Sequence, residues 1–437
     1  MNRTVEKDKT LLVDGPASVT VVSGKVEVFG SVIGSPNKIV IREGKRLPFA
    51  IEETAAFDIS LGESAAVEEK EGNTIPSSWV KSFEELLNLQ NKPATAMVLG
   101  TVDSGKTSFN TYLINRLLRE KKKVAILDGD LGQSDVGPPC TVAYTFVTKP
   151  VTDLFNLRAK NAFFVGVTSP STVIKKVIDG LVSLKKEILA NNPDFIMINT
   201  DGWIEGEDAT YYKIKLVEEL SPDIIFCIQQ KDELTTIINT LENSKKIIIE
   251  SPPAIEQKTR ERRKNLRELG YIKYLKNSRV QSLPLSWLEV ENSDIFGLSG
   301  TRESPKRAGK IYELLGMKPL HFVELKDKIS VIIGKNRWIS TENIKKVEEF
   351  TKKMVDITRK GEEQGILAAV HDSKRRFMGI GVLQEINYLR KILKISTPVS
   401  EEISLVIMGK VKLDKNLREI PAFEKENEDV ASLKKLV

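Results

Sequence analysis

Between residues 94 and 250 the chain repeats one pattern, a short and almost wholly apolar segment followed by a longer stretch with apolar residues at helical spacing. The apolar segments are TAMVLG (95–100), KVAILD (123–128), AFFVGV (162–167), DFIMINT (194–200), DIIFCI (223–228) and KIIIE (246–250). Strands that lack polar alternation are buried on both faces, and the intervening helical stretches supply the crossovers that parallel strands need. Phe109, Leu113, Leu117 and Leu118 mark the first of those helices. The pattern predicts an α/β domain with a parallel sheet and helices on both faces. Ligands of such sheets bind beyond the carboxyl ends of the strands.

The flanking segments read differently. Over residues 10–70, VTVV (19–22), KVEVFG (25–30), KIVIREG (38–44) and FDISLG (57–62) are short alternating segments broken by Gly, which predicts a small antiparallel sheet. The polar stretch EEKEGNTIPSSW (68–79) reads as a linker. After about residue 285 a Lys-rich, helix-like stretch (342–360) precedes strand-like runs at 365–370, 377–383, 391–395 and 403–413, a mixed α+β pattern. We therefore expect three domains: β-rich 1–75, the α/β domain 76–285, and a C-terminal domain 286–437. A length of 437 residues fits two or three domains of roughly 100–200 residues each.

Composition narrows the chemistry. Two cysteines, Cys140 and Cys227, cannot build a disulfide framework or a four-thiolate zinc site, and only His321 and His371 could supply imidazole. Histidine triads and His-rich metal centres are thereby disfavoured. Lys and Arg number 66 against 60 Asp and Glu, a net charge of +6, which permits a polyanionic partner without demonstrating one. No run approaches the ~18 apolar residues of a spanning helix. MNRTVEKDKT has no apolar signal-peptide core. The expectation is a soluble, cytoplasmic protein with no membrane partner.

Chemistry concentrates at the strand ends. GTVDSGKT, Gly100 to Thr107, fits G-x-x-x-x-G-K-[ST] and lies between an apolar strand and an amphipathic helix. Glycines let backbone N–H groups wrap a phosphate, the helix N-terminus adds positive potential, Lys106 reaches the β and γ oxygens, and Thr107 can ligate Mg²⁺. Gly100, Thr101, Val102, Asp103, Ser104, Gly105, Lys106, Thr107 and Ser108 are thus candidates to hold a nucleoside triphosphate. The second strand ends in LDGDLGQ, where Asp128 and Asp130 can hold Mg²⁺ waters or accept a proton, and Gln133 can orient either. The fourth ends in NTDGW (199–203): Gly202 allows close backbone approach, and Trp203 is a flat surface for a base or a plain rim residue. TRERRKNLRELG (259–270) sets Arg263 and Arg267 on one helix face, either as a solvated charge run or as forks for phosphate. TSPST (168–172) reads as a helix N-cap that could also touch nucleic acid.

Taken in order, these four segments resemble the polynucleotide 5′-hydroxyl kinase family that includes the Clp and Grc/Nol RNA-processing kinases, and look most like its archaeal members. The resemblance covers roughly residues 94–275. It rests on the phosphate loop, a D-x-D-x-G-Q motif (Asp128, Asp130, Gly132, Gln133), a T-x-G-W clasp (Thr200, Gly202, Trp203) and an R-x-x-x-R lid (Arg263, Arg267). Two departures stand out: Cys140 follows Pro138–Pro139 where relatives often carry Gly, and the extra lid arginines make Arg262 with Arg267 an alternative register. The resemblance implies transfer of the ATP γ-phosphoryl group, with Mg²⁺, to the 5′-hydroxyl of RNA or also DNA. Asp130 would serve as base, Asp128 in the outer shell of the metal, and Trp203 under the terminal base. Thr200, Gly202, Gln133 and Arg262 would contact the substrate, with Arg263 and Arg267 closing on the transferred group. It names no protein partner.

Two other classes compete. A catalytically silent, ATP-bound scaffold of an RNA 3′-end processing assembly would need neither clasp nor lid. A GTPase would carry N/T-K-x-D where this chain reads QQKDE (229–233), and a partitioning ATPase would carry Lys at the loop position held by Thr101.

Overall fold

The alternation at the N-terminus builds seven strands: β1 (Asn2–Val5), β2 (Lys9–Asp14), β3 (Ala17–Val28), β4 (Ser31–Ile33), β5 (Asn37–Ile41), β6 (Arg46–Leu61) and β7 (Val67–Glu71). They form one sheet of order β4-β3-β6-β2-β7, with β1 paired to β6 and β5 to β3. The separate segments expected at 19–22 and 25–30 are one long strand, β3, paired along β6 through irregular register near Ser23 and Lys25. The computed structural model describes residues 1–242, 244–252, 258–292 and 305–421.

The expected linker is shorter than its polarity implies, because β7 takes residues 67–71 and α1 (Ser77–Leu87) starts soon after. Trp79 is fully buried in α1, its ring edge-on to Phe109 at 5.1 Å and its Nε1 donating to Glu250 O at 3.2 Å. A fully buried aromatic of this size contributes about 3–5 kcal/mol. It fastens α1 to the core.

Next come β8 (Ala94–Gly100), α2 (Lys106–Arg119), β9 (Val124–Asp128), β10 (Thr141–Val147), β11 (Asn161–Phe164), α3 (Ile174–Leu189), β12 (Phe195–Asn199), α4 (Glu207–Leu220), β13 (Ile224–Gln229), α5 (Thr235–Thr240), β14 (Lys246–Glu250) and α6 (Arg260–Leu275). The sheet order is β11-β10-β9-β12-β8-β13-β14. Pairings β9–β12–β8–β13–β14 are parallel, as expected, but β9–β10 and β10–β11 are antiparallel. The chain reverses after Pro138 and Pro139 at Cys140, which holds a left-handed φ of 66°. The strand after it therefore returns beside β9 without a crossover helix. TSPST is not an N-cap either: α3 is capped at Val173, with no side-chain bond.

Two compact units make up the chain, Met1–Tyr271 and Ile272–Val437. In the second unit β15 (Arg279–Pro284), β16 (Glu289–Glu291), β20 (Ile366–His371), β21 (Phe377–Asn387), β22 (Ile392–Thr397) and β23 (Leu405–Leu413) form a sheet of order β15-β22-β21-β20-β23-β16, with β24 (Glu419–Ile420) on β23. A separate sheet of β17 (His321–Glu324), β18 (Lys328–Ile333) and β19 (Met354–Arg359) shares a core with α7 (Pro305–Leu315) and α8 (Thr341–Thr351). The Lys-rich stretch 342–360 is thus only half helix. Lys352 ends α8 with φ 58°, and the β-branched run Val355, Ile357, Thr358 continues as a strand. Among the described residues no helix is long and apolar enough to cross a membrane.

Candidate nucleotide and polynucleotide site

The loop after β8 has the shape its glycines require. A Cβ on Gly100 would lie 2.5 Å from Ser104 Oγ and 2.8 Å from Ile228 O, and Gly105 caps α2 with φ 100°. Lys106 folds back so that Nζ donates to Thr101 O at 2.6 Å. Burial lowers its ammonium to about 8, against the opposing pull of Asp130. Val102, Asp103, Gly105, Lys106, Thr107 and Ser108 line a cavity of about 360 Å³. Gly100, Thr101 and Ser104 stand outside that lining and shape the loop.

The two aspartates of the acidic turn have separated roles. Asp128 is fully buried and does not line the cavity. Its Oδ2 accepts from the N–H of Asp135 (2.9 Å) and Val136 (3.1 Å), and its Oδ1 from Asn199 Nδ2 (3.0 Å) and Asp130 N (3.3 Å). Burial pushes this carboxyl up to about 7, with Asp135 and Asp130 adding to it. The residue expected beside the metal is placed as the anchor of the turn. Asp130 does line the cavity, with Gly132 and Gln133 beside it. Its Oδ1 accepts from Gly132 N and Gln133 N, both at 2.9 Å, which leaves Oδ2 for a ligand. Burial first, then Asp201, raises its pKa, while Lys106 lowers it.

The turn after β12 is held by a residue the sequence reading passed over. Asp201 accepts from Trp203 N (2.9 Å) and Tyr212 Oη (2.9 Å) and pairs with Lys213 Nζ (3.0 Å), which is fully buried. Thr200 donates to Val98 O at 2.7 Å and lies behind the cavity. Gly202 packs so tightly on the phosphate loop that a Cβ would come within 2.5 Å of Val102 N. Trp203 lines the cavity and stacks on Tyr212 at 5.8 Å and 28°. Asp201 lay within the motif, and only its partners, a helix away, reveal its work.

Arg262, Arg263 and Arg267 of α6 all line the cavity. Arg263 Nη1 donates to Asp103 Oδ2 (3.2 Å) and Lys258 O (2.7 Å), and Arg267 Nη1 reaches Gly132 O at 3.5 Å. Lys258 adds two bonds to Asp103, from its backbone N (2.9 Å) and Nζ (3.0 Å). Asp103, with φ 57°, therefore ties the lid to the phosphate loop.

The β-rich segment supplies the opposite wall. Asn115 of α2 donates to Phe29 O at 2.7 Å, and Arg119 pairs with Glu27 at 2.9 Å. Arg42 lies 4.5 Å over the Phe155 ring and pairs with Asp153 (2.6 Å) and Asp135. Burial alone would weaken its charge, but the two carboxylates more than offset that and hold the guanidinium above its usual value. Arg46 pairs with Asp14 through two bonds, 2.6 and 2.7 Å. None of these long-range pairs carries a local signal in sequence. Among the described residues, eight cations (Arg42, Lys45, Arg46, Lys106, Lys258, Arg262, Arg263, Arg267) line the cavity against five carboxylates (Asp14, Asp103, Asp130, Asp135, Asp201). That balance suits a polyanion. Thr107 and Asp130 are hard oxygen donors of the kind Mg²⁺ accepts alongside phosphate and water.

A phosphate loop at the C-terminal edge of a parallel sheet, with a Trp-bearing turn and an arginine lid over one cavity, defines a P-loop nucleoside-triphosphate-binding protein. Residues 100–277 match the family described as "mRNA cleavage and polyadenylation factor CLP1 P-loop". A polyribonucleotide 5′-hydroxyl-kinase of Pyrococcus abyssi is 26% identical over 359 residues, covering 81% of this chain and 97% of the relative. One from Thermococcus kodakarensis is 29% identical over 332 residues, covering 75% and 89%. A solved complex of wild-type Clp1p with Pcf11p has the same fold, with TM-score 0.67 over 94% of this chain and 97% of that one at 13% identity. Over residues 100–277 the chain is thus similar to the Clp1-type P-loop family, and over about four fifths of its length to archaeal polyribonucleotide 5′-hydroxyl-kinases.

Proposed function

We propose that this protein transfers the γ-phosphoryl group of ATP to the 5′-hydroxyl of RNA, and of DNA as a second acceptor. The observation that carries this reading is the convergence of Lys106, Asp130, Trp203 and the lid arginines on one cavity. Backbone N–H groups of residues 102–107 and Lys106 hold the β and γ phosphates. Asp130 Oδ2 orients the 5′-hydroxyl and accepts its proton. The hydroxyl oxygen forms the new P–O bond as the bond from the γ phosphorus to the bridging oxygen breaks, and ADP leaves. A carboxyl raised by burial is a stronger base toward that proton. Trp203 stacks on the terminal base, and Arg262, Arg263 and Arg267 stabilise charge on the transferred group.

Thr107 would hold Mg²⁺ together with phosphate and water oxygens, and the ion when bound supplies neutralisation of phosphate charge. Radiolabel transfer from γ-labelled ATP to a 5′-hydroxyl oligoribonucleotide tests the reading. Wild type labels the RNA, whereas Lys106→Ala and Asp130→Asn do not. Nucleotide binding by the wild type without any labelling overturns it in favour of the silent scaffold.

A further inference from the structure

The small α+β module of the second unit carries a surface that the catalytic cavity does not use. Antiparallel pairing of β17 with β18, and parallel pairing of β18 with β19, bring three loops to one end of the sheet: His321 faces Ile332, and Ile333 faces Arg359. Lys318 precedes β17, the turn Gly334–Trp338 follows β18, and Lys360 follows β19, its N–H bonded to Ile333 O at 2.9 Å. That end therefore gathers Lys318, Lys335, Arg337, Arg359 and Lys360. Lys318, Lys335 and Arg337 are exposed and make no ion pair among the described residues. The acids nearest in sequence are engaged, Glu342 with Lys346 and Glu362 with Arg359.

Trp338 stands in the middle of this charge. Its neighbour Ile339 is buried in the module's core, so Trp338 points outward and is 70% exposed. The Arg359 guanidinium lies 4.1 Å over its ring. One face is thus backed by a cation and the rest is open to solvent. An isolated exposed apolar side chain needs no explanation. Arg359 and Lys360 are paired with Glu362 and Glu385, which leaves Lys318, Lys335 and Arg337 as the cations without an ion pair among the described residues. An exposed indole beside such cations matches the stacking platforms on which unpaired bases lie while the backbone follows positive charge.

We infer that this end of the module, centred on Trp338 with Lys335, Arg337 and Arg359, binds single-stranded RNA as a second contact distinct from the catalytic cavity. Single strands are favoured over duplex because a base must be unstacked to lie on the indole. The inference deepens the proposed polynucleotide kinase reading. Its test uses the full chain and a 3′-fluorescein oligoribonucleotide of about 20 nucleotides that already bears a 5′-phosphate, so that binding is read without phosphoryl transfer.

Trp338→Ala should weaken binding about tenfold, the loss of one base–aromatic stack. Lys335→Ala with Arg337→Ala should lower the slope of log K against log salt by about 1.4, two phosphate contacts on a single strand. Both variants should keep the wild-type melting temperature and label a very short 5′-hydroxyl oligoribonucleotide like wild type. Unchanged affinity and salt slope in both variants would overturn the inference. So would polyglutamate displacing the RNA as well as unlabelled RNA does, which would make the surface a dock for acidic protein. A wild type that labels nothing, yet loses RNA binding on Trp338→Ala, would remove the kinase reading and leave this surface standing.

Discussion

The Asp103 side chain reaches from the phosphate loop across to Lys258 and Arg263 of the lid, and Asp103→Asn isolates what that link does. Asparagine tolerates the left-handed backbone at this position, which alanine would strain, and keeps an acceptor oxygen. What it removes is the charge that pairs with Lys258 at 3.0 Å and Arg263 at 3.2 Å. The carboxylate is 4% exposed, but its partners are 22% and 28% exposed and regain water when released. Each pair is therefore nearer the roughly 0.5–1 kcal/mol of an accessible ion pair than the 3–5 kcal/mol of a broken buried one. Together they contribute about 1–2 kcal/mol to lid docking, or about 5–30-fold in the docking equilibrium. Amide hydrogen exchange in the first turns of α6, measured without nucleotide, should accelerate by that factor while exchange in β8 and β12 stays unchanged. Unaltered protection over residues 262–267 would refute the latch.

Gly202→Ala should destabilise by about 1–3 kcal/mol and weaken nucleotide binding, because the new Cβ meets Val102 backbone at 2.5 Å; calorimetric titration with ADP reads the second effect. Asp128 and Asp130 should separate cleanly: Asp128→Ala strands four donors and lowers stability by more than about 3 kcal/mol, whereas Asp130→Asn abolishes transfer with little change in melting. The Asp128 carboxyl is raised from its ordinary value to about 7, so the folded state holds a proton that the unfolded state releases. Its contribution to stability is accordingly present below the unfolded value and fades as pH rises through about 7, a trend that denaturant titrations at pH 5 and 8 should register. Lys106, lowered to about 8, carries its charge below that pH and loses it above, so ADP affinity measured without metal should fall between pH 7 and pH 9.

The local pattern was a good guide wherever the determinant lies within one element. Continuous apolar runs marked β8, β9, β12, β13 and β14, and the loop from Gly100 to Thr107 announced its phosphate cradle. What the pattern could not reveal depends on tertiary partners. Residues 141–147 form an antiparallel strand because the chain reverses at Cys140, not because of their own composition. Asp128 and Asp130 are chemically alike and two residues apart, and only the fold turns one toward four donors and the other toward the cavity. Asp201 with Lys213, Asp103 with Lys258, and Arg42 with Asp135 and Asp153 join residues 12 to 155 positions apart. No window along the chain contains such pairs.

The decisive measurement offers wild-type protein a 5′-hydroxyl oligoribonucleotide, the matching DNA and a duplex end together, each with ATP, GTP, CTP or UTP, and weighs the products by mass spectrometry. The proposed function predicts one added phosphate at the 5′ end of the RNA, formed with ATP. RNA returned at its starting mass with every triphosphate, from protein that still binds ATP, would contradict the assignment.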